Sequence, residues 1–282
     1  MIKVAVFGAN GQLGQTLQYL TKNQKETFSF FGKGEADITD SQQIDKIFKS
    51  SNFKYCINCA AYTNVDGAEK ETELAFKING EGVKNLAESC KANNVILIHI
   101  STDYVFDGSN NKPYETTEIT NPLNQYGKSK LKGELNIINT IAKFYIIRTS
   151  WLYSPFGKNF VKTIIAKIKE GEKLKITTEE TGTPTSCLDL CDFIFHLIKN
   201  EDIPHGIYNF SANGKTTWYN FALEIAKIKF PKETVHILPV DKYKRQAKRP
   251  LFSVLDLKKT EKNFKTLNHW TTSLKKVINQ IK

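Results

Sequence analysis

Short apolar runs rich in valine, isoleucine and phenylalanine alternate with longer segments of helical periodicity across residues 1–150. Runs such as "KVAVF" and "VILIHIST" are apolar at nearly every position, which is typical of strands buried on both faces. Between them, "DITDSQQIDKIFKSS" opens with helix-capping residues and continues at helical spacing, and residues 68–94 read as one long helix. This alternation predicts an α/β fold, a Rossmann-type doubly wound parallel sheet covered by helices.

The alternation weakens beyond residue 150. Helix-periodic segments there are separated by loops that contain proline, and "DIPHGIYNFS", residues 202–211, is predicted as one of these loops. We therefore predict two domains. Residues 1–150 form the larger one, and residues 151–282 form mainly a smaller lobe of mixed structure, with some of its chain crossing back to the first domain.

Composition narrows the class of protein. The chain has 282 residues, of which 40% are hydrophobic and 24% charged, as in soluble globular proteins. It contains no run of about 20 apolar residues that could span a bilayer, and its first residues lack the pattern of a signal peptide. We expect a cytoplasmic protein without a membrane partner.

The distribution of charge and the spacing of histidines and cysteines exclude nucleic-acid-binding and metal-binding classes of protein. The net charge of +11 comes from lysines scattered along the chain, without any nucleic-acid-binding motif, so we expect no nucleic-acid partner. A small anionic ligand would also suit this charge. Histidines and cysteines show no metal-ligand spacing, and we predict no metal site.

A glycine-rich segment, "GANGQLG", directly follows the first predicted strand and opens the first helix. Missing side chains permit a tight turn and a close approach of phosphates, and the free amides of the helix N-terminus attract negative charge. In a strand–turn–helix context this pattern predicts a dinucleotide pyrophosphate site. The candidate residues are Gly8, Asn10, Gly11, Gln12, Leu13 and Gly14.

Tyr126 and Lys130 stand one helical turn apart in "NQYGKSKLKGE". An ammonium group beside a phenol stabilises the phenolate, lowers the pKa of the phenol and makes its proton transferable. Lys128 and Lys132 offer the alternative that this is a solvated, charged helix face. The spacing alone leaves both interpretations open.

"GANGQLG", "STDYVFDG", "NQYGKSKLKGE", "GTPT" and "RPLFSVLD" occur in an order that resembles the extended short-chain dehydrogenases/reductases, and among them the dTDP-4-dehydrorhamnose reductase family. The resemblance covers the whole chain. It implies a dinucleotide-binding domain at residues 1–150 and a substrate-binding lobe at 151–282. It also implies NADPH-dependent reduction of the C4 ketone of dTDP-4-dehydro-L-rhamnose to dTDP-L-rhamnose, the last step in making this precursor of cell-surface polysaccharides.

The same resemblance assigns catalytic roles. Thr102 and Tyr126 would hydrogen-bond the reacting carbonyl oxygen, and Lys130 would lower the pKa of Tyr126 and hold the nicotinamide ribose. Ser101 is adjacent to Thr102, but the family pattern places the catalytic hydroxyl at Thr102. Substrate contacts are implied for Thr102, Asp103, Tyr104, Trp151 and Arg249. Large aromatic residues such as Tyr104 and Trp151 more often fill cores, whereas the Arg249 guanidinium matches phosphate oxygens.

Further cofactor contacts are implied by the resemblance for Asp37, Ile38, Ala60, Ala61, Tyr62, Thr63 and Asn79. The alanines also suit plain packing at a strand end. Asn79 would order a water behind Lys130, or would simply be polar helix surface. An NAD-selective site often carries an acidic residue after the second strand. Lys33 stands there instead, and its side chain either meets a 2′-phosphate or faces water. The absence of an acidic residue at this place favours NADPH as the cofactor, with NADH as an alternative.

Assembly and function retain alternatives. Some family members are dimers bridged by a metal between glutamates, one of them directly after the last motif glycine. Gln15 occupies that position here and is a poor ligand for a hard cation, so the chain is expected to be a monomer or a homodimer that binds a dTDP-sugar. Another nucleotide-sugar ketoreductase or epimerase, or a non-catalytic regulatory subunit of a methionine adenosyltransferase, is the alternative function.

Overall fold

A computed structural model describes residues 2–22, 24–241 and 245–281, so residues 1 and 282, the outer ends of the two predicted domains, lie outside the described residues. The strands are β1 Lys3–Phe7, β2 Thr27–Phe31, β3 Tyr55–Asn58, β4 Ile96–Thr102, β5 Phe144–Thr149, β6 Leu152–Tyr153, β7 Leu174–Thr177, β8 Thr181–Gly182, β9 Thr185–Ser186, β10 Gly206–Phe210, β11 Thr216–Thr217 and β12 Ile237–Val240. The α-helices are α1 Gln12–Thr21, α2 Ser41–Ser50, α3 Thr72–Phe76, α4 Val83–Ala92, α5 Gln125–Thr140, α6 Phe160–Lys169, α7 Cys187–Lys199, α8 Trp218–Lys229, α9 Lys258–Asn263 and α10 Trp270–Ile278.

Six strands form one parallel sheet in the order β10-β5-β4-β3-β1-β2. The chain adds β2 on one side of β1 and then adds β3 on the other side. This change of side gives a topological switch point between β1 and β3. Because parallel strands end at the same edge, the segments that follow β1, β3 and β4 open into one crevice. The prediction of a Rossmann-type parallel sheet is confirmed.

The edge strand β10 corrects one prediction. Residues 206–210, expected to be part of a loop, pair in parallel with β5. Tyr208 and Phe210 are fully buried and supply the apolar character that a sheet strand needs. Pro204 and Gly206, which suggested a loop, lie before the strand and at its first residue, where they are tolerated.

Successive residues of β1 face opposite sides of the sheet. Val4 and Val6 pack in a core with residues of α1 and α7, whereas Ala5 and Phe7 pack in a second core with residues of α2, α4 and α5. A third cluster joins α6, α8 and α10 and is made by residues beyond 150. The C-terminal elements therefore bury an apolar core of their own beside the sheet.

The predicted long helix at residues 68–94 is helical without a break from Thr72 to Ala92, but it is not a uniform α-helix. It consists of a 3₁₀ turn at Gly67–Glu69, helix α3, a π-helical turn at Lys77–Gly82 and helix α4. The π turn lies against α5, where a side chain at Gly133 would collide with the carbonyl of Asn79. Such bulges interrupt helices often at functional sites. Within the described ranges, no helix is both long and apolar enough to cross a bilayer.

Candidate active site

The turn after β1 has a conformation that requires glycine. Gly8 has φ +80°, and a Cβ there would lie 2.6 Å from the carbonyl carbon of Cys59. A Cβ at Gly14 would lie 2.7 Å from the Cα of Ala9, so α1 packs directly on the turn. Gly11 caps α1 without any side-chain hydrogen bond. The first amides of this helix are thus left for an anionic ligand.

A continuous groove runs from this turn to Tyr126. It consists of two cavities of about 230 and 340 Å³ that share Asn10, Gly11, Cys59 and Ala61. The first is further lined by Gly8, Lys33, Ala36, Asp37, Ile38, Ala60 and Ile78. The second is further lined by Gln12, Leu13, Thr63, Ile100, Ser101, Tyr126, Lys130, Leu152, Gly157 and Lys158. Most of the residues predicted to bind cofactor are therefore brought to one groove.

Three predicted cofactor residues lie outside the lining: Gly14, Tyr62 and Asn79. Tyr62 turns its hydroxyl to Glu71, to which it donates a hydrogen bond of 2.5 Å. Asn79 is fully buried; its amide accepts from the Tyr62 N–H and donates to the Tyr62 carbonyl and the Ser129 hydroxyl. The interpretation of Asn79 as polar helix surface is therefore wrong, and its amide connects the loop after β3 to α5.

Helix α5 presents Tyr126 and Lys130 to the groove. Asn124 caps the helix, accepting from the Gly127 N–H at 2.8 Å, and its amide donates to the Lys248 carbonyl at 2.7 Å. Lys130 is only 2% exposed, whereas Lys128 is exposed. The solvated-face interpretation fits Lys128 and Lys132, and it is wrong for Lys130.

Burial dominates the acidity of Tyr126. It raises the pKa of the phenol to about 12; a hydrogen bond with Thr102 opposes this rise, and the charge of Asp103 adds to it. The Lys130 side chain points instead at the sheet, where Nζ donates to the Ile100 carbonyl at 2.7 Å. The expectation that Lys130 lowers the pKa of Tyr126 is therefore not met in this arrangement, because the phenol is desolvated and the Lys130 amino group faces elsewhere.

Ser101 and Thr102 have different partners. The Ser101 hydroxyl donates to Glu134 at 2.5 Å. The Glu134 carboxylate also accepts hydrogen bonds from two guanidinium nitrogens of Arg148, the closer at 2.7 Å. Thr102 donates to the Asp103 carboxylate at 3.1 Å and hydrogen-bonds Tyr126. The hydroxyl next to the phenol is therefore that of Thr102.

Asp103 and Tyr104 continue this wall of the site. Burial raises the pKa of Asp103 to about 7, against hydrogen bonds from Ser253 and Thr102 that lower it. Tyr104 packs edge-to-face on Tyr126, with ring centroids 5.9 Å apart. A carboxyl group that titrates near neutrality thus lies beside the phenol.

A separate cavity of about 310 Å³ lies against the C-terminal lobe. Its lining is Phe160, Lys175, Ile176, Thr177, Glu180, Trp218, Arg245 and Arg249. The Arg249 guanidinium donates to the Asp66 carboxylate at 2.8 Å, and Arg245 pairs with Glu180. Trp218 lines the cavity and stacks on Trp151, with ring centroids 3.7 Å apart. Basic and aromatic groups on this wall could hold a base and its phosphates.

The profile of the RmlD substrate binding domain family matches residues 2–282. The chain belongs to that family. A dTDP-4-dehydrorhamnose reductase of Aggregatibacter actinomycetemcomitans is 35% identical over 289 residues, which cover 98% of each chain.

Solved structures agree with this RmlD-family membership. The Bacillus anthracis dTDP-4-dehydrorhamnose reductase, crystallised in complex with NADP, is 35% identical and superposes with a TM-score of 0.94 over 99% of this chain and 100% of that one. The Clostridium acetobutylicum dTDP-4-dehydrorhamnose reductase is 36% identical, with a TM-score of 0.93 over 99% of each chain.

Several residues of this RmlD-family site escaped sequence reasoning. In the C-terminal cavity, Phe160, Trp218 and Arg245 carry no local motif, and only the tertiary fold brings them to Arg249. Asn124 was detectable, because an asparagine directly before a helix is a common cap. Within the described residues, no group of three or more acidic, histidine or cysteine side chains could hold a metal ion.

Proposed function

We propose that this protein is an NADPH-dependent dTDP-4-dehydrorhamnose reductase, which reduces the C4 ketone of dTDP-4-dehydro-L-rhamnose to the alcohol of dTDP-L-rhamnose. The observation that carries the proposal is the placement of Tyr126 and Lys130, with Thr102 hydrogen-bonded to the phenol, at one end of the dinucleotide groove. Full-length similarity to enzymes of this name supports it.

The groove fits a dinucleotide. Bare glycines at the β1–α1 turn leave room for a pyrophosphate, and the free N-terminus of α1 faces it. Asp37 and Ile38 would hold the adenine end, and Lys33 would meet the 2′-phosphate of NADPH; NADH, which lacks that phosphate, is the weaker alternative. When bound, the nicotinamide supplies the hydride that is added to C4 of the sugar.

The protein supplies the proton. With a pKa of about 12, Tyr126 is a protonated phenol at neutral pH, and an alkoxide that forms on the substrate oxygen is basic enough to take its proton. The Thr102 hydroxyl lies beside the phenol and would orient the same oxygen. Lys130 would stabilise the phenolate that remains until it is reprotonated.

The C-terminal cavity would hold the nucleotide of the substrate. Arg249 and Arg245 offer guanidinium groups for the diphosphate, and Trp218 offers an aromatic face for the base. Each arginine is paired with a carboxylate in this structure. Phosphate oxygens would therefore have to replace Asp66 or Glu180.

We further propose a cytoplasmic enzyme that acts as a monomer or homodimer without a bridging metal. Gln15, at the position of a bridging glutamate in some relatives, donates its amide to the Asn10 carbonyl at 2.7 Å. This neutral side chain already has a backbone partner and brings no negative charge for a cation.

The decisive assay follows NADPH oxidation with dTDP-4-dehydro-L-rhamnose and identifies the product by mass and stereochemistry. A reductase consumes one NADPH for each dTDP-L-rhamnose formed. Conversion of a nucleotide sugar without net loss of NADPH would identify an epimerase instead. An absence of turnover with any sugar ketone, together with co-purification of a methionine adenosyltransferase, would identify a regulatory subunit.

A further inference from the structure

A buried histidine lies directly against Lys130. His99, in the middle of β4, has no exposed surface. Its Nε2 atom is 3.3 Å from the Lys130 Nζ, and its Nδ1 atom is 3.1 Å from the amide nitrogen of Asn58. The reaction described above assigns no task to His99 or to Asn58.

The orientation of the Asn58 amide is fixed by the backbone. Its Oδ1 atom accepts a hydrogen bond of 3.0 Å from the Ala60 N–H, a group that can only donate. The amide nitrogen of Asn58 must therefore face His99, and since this nitrogen can only donate, Nδ1 of His99 must accept.

The acceptor at Nδ1 determines the position of the ring proton. Burial, with a smaller contribution from the charge of Lys130, lowers the pKa of His99 well below its usual range. The ring is thus neutral and carries one proton, which lies on Nε2 and points at Lys130. A neutral amine at Nζ could accept this N–H, whereas an ammonium group offers only donors and would be repelled.

The other groups that face Lys130 act in opposing directions. The charge of Glu134, one turn along α5, favours the ammonium form, whereas the Cys59 thiol just after β3 is uncharged, because burial raises its pKa. The Ile100 carbonyl accepts from either form of the side chain. Burial outweighs these groups and lowers the pKa of Lys130 to about 8.

We propose that His99, oriented by Asn58, is a positioning residue that favours the neutral amine of Lys130 in the cofactor-free protein, and that Lys130 takes up a proton from solvent when the dinucleotide binds. The second half of this inference rests on the proposed function. Its consequence is that a larger fraction of Lys130 is the cation that stabilises the Tyr126 phenolate when cofactor is bound than when it is absent.

The first half is tested without cofactor or substrate. Long-range ¹H–¹⁵N correlation spectra distinguish the two neutral tautomers of histidine from imidazolium. The chain has five histidines, and His99→Asn identifies the signal of interest by its loss. We expect the Nε2–H tautomer at His99 throughout the neutral range. A proton on Nδ1, or an imidazolium, would overturn the inference whatever the enzyme does.

The second half is tested by calorimetry of NADPH binding at pH 8 in two buffers of different ionisation enthalpy. Near its pKa of about 8, Lys130 is about half amine, so the parent should take up about half a proton. Lys130→Met should lack this share of the uptake, and what remains gives the baseline for the cofactor phosphate. Equal uptake by the parent and Lys130→Met would refute the inference.

Asn58→Asp should reverse the position of the ring proton of His99. A carboxylate accepts from Nδ1–H, which leaves Nε2 as an acceptor for the ammonium, so Lys130 should be charged already and proton uptake should largely disappear. His196→Asn changes a histidine of α7 that bonds the Asn263 carbonyl and should behave as the parent does. Unchanged uptake in folded Asn58→Asp protein would contradict the inference. If NADPH binds with the expected proton uptake but no sugar ketone is reduced, only the proposed function is contradicted.

Discussion

The sheet wall and the lobe wall of this site differ in how their charged groups are paired. On the sheet wall, Glu134 and Arg148 form an ion pair with side chains 1% and 4% exposed. On the lobe wall, Arg249 pairs with an Asp66 side chain that is 40% exposed. Breaking a buried pair is strongly destabilising, whereas exposed pairs contribute little. The sheet wall is therefore held fixed, and on the lobe wall the pair between Arg249 and Asp66 can exchange partners.

This difference separates two kinds of effect. Groups on the sheet wall are oriented before any ligand binds, so changes there should act mainly on turnover. Groups on the lobe wall must give up one partner for another when a nucleotide sugar binds, so changes there should act mainly on substrate affinity. Kinetic constants for variants of each wall test this distinction.

The largest effect is expected for Tyr126→Phe. The change keeps the ring and its edge-to-face contact with Tyr104, so folding and NADPH binding should persist. Loss of the only proton donor assigned to the reaction should lower kcat by about 10²–10⁴-fold. Steady-state assays check this, and a kcat within a few-fold of the parent would remove Tyr126 from the mechanism.

Lys130→Met should lower kcat by about a hundredfold, since a general acid without its cation leaves an unstabilised phenolate. Affinity for NADPH should fall as well, because the same group would hold the ribose. Lys128→Met, on the exposed face of the same helix, is the matched control and should match the parent. Equal losses in both variants would mean that neither lysine has a specific role.

How much of this could be read from the sequence depended on distance along the chain. The glycine turn and the Tyr126–Lys130 pair are local patterns, and the structure brings both to one groove. The contact between His99 and Lys130 joins residues 31 positions apart, and that between Asp66 and Arg249 joins residues 183 apart. Such contacts follow from strand order, and sequence periodicity does not specify them.

The acidity of Tyr126 shows a second limit. Sequence spacing correctly placed a lysine one turn from the phenol, but spacing does not report burial or the direction of a side chain. Desolvation raised the pKa of Tyr126, where the sequence had predicted a lower value, and it lowered the pKa of Lys130. The balance between burial and charge had to be taken from the folded structure.

On the lobe wall, Arg249→Ala should raise KM for the dTDP-sugar by about ten- to a hundredfold, the equivalent of one charge-assisted hydrogen bond of about 1.5–3 kcal/mol. KM for NADPH and kcat should change little. Arg249→Lys keeps the charge without the fork and should recover only part of the affinity.

Asp66→Asn tests the exchange of partners directly. It removes the carboxylate that holds Arg249 and should lower KM for the dTDP-sugar, the opposite of Arg249→Ala. Kinetics with each substrate varied in turn would check both variants. A defect of Arg249→Ala confined to NADPH would instead assign Arg249 to the dinucleotide and remove the division between the walls.

The smallest effect is expected at the adenine end of the groove, where Lys33 lines the cavity and the Glu35 carboxylate accepts from the Gly32 N–H at 2.6 Å. A 2′-phosphate would be attracted by the first group and repelled by the second, whereas an uncharged ribose hydroxyl would respond less to either, since the Glu35 carboxylate is already hydrogen-bonded to the Gly32 N–H. Because both side chains are exposed, solvent and salt screen the charges, and each should change KM for NADPH by only about two- to fivefold. Lys33→Ala should raise KM for NADPH and Glu35→Gln should lower it, with little change for NADH in either variant. These two variants, compared at low and high salt, would show whether selectivity at this end is electrostatic; equal shifts for both cofactors would mean that neither residue senses the phosphate.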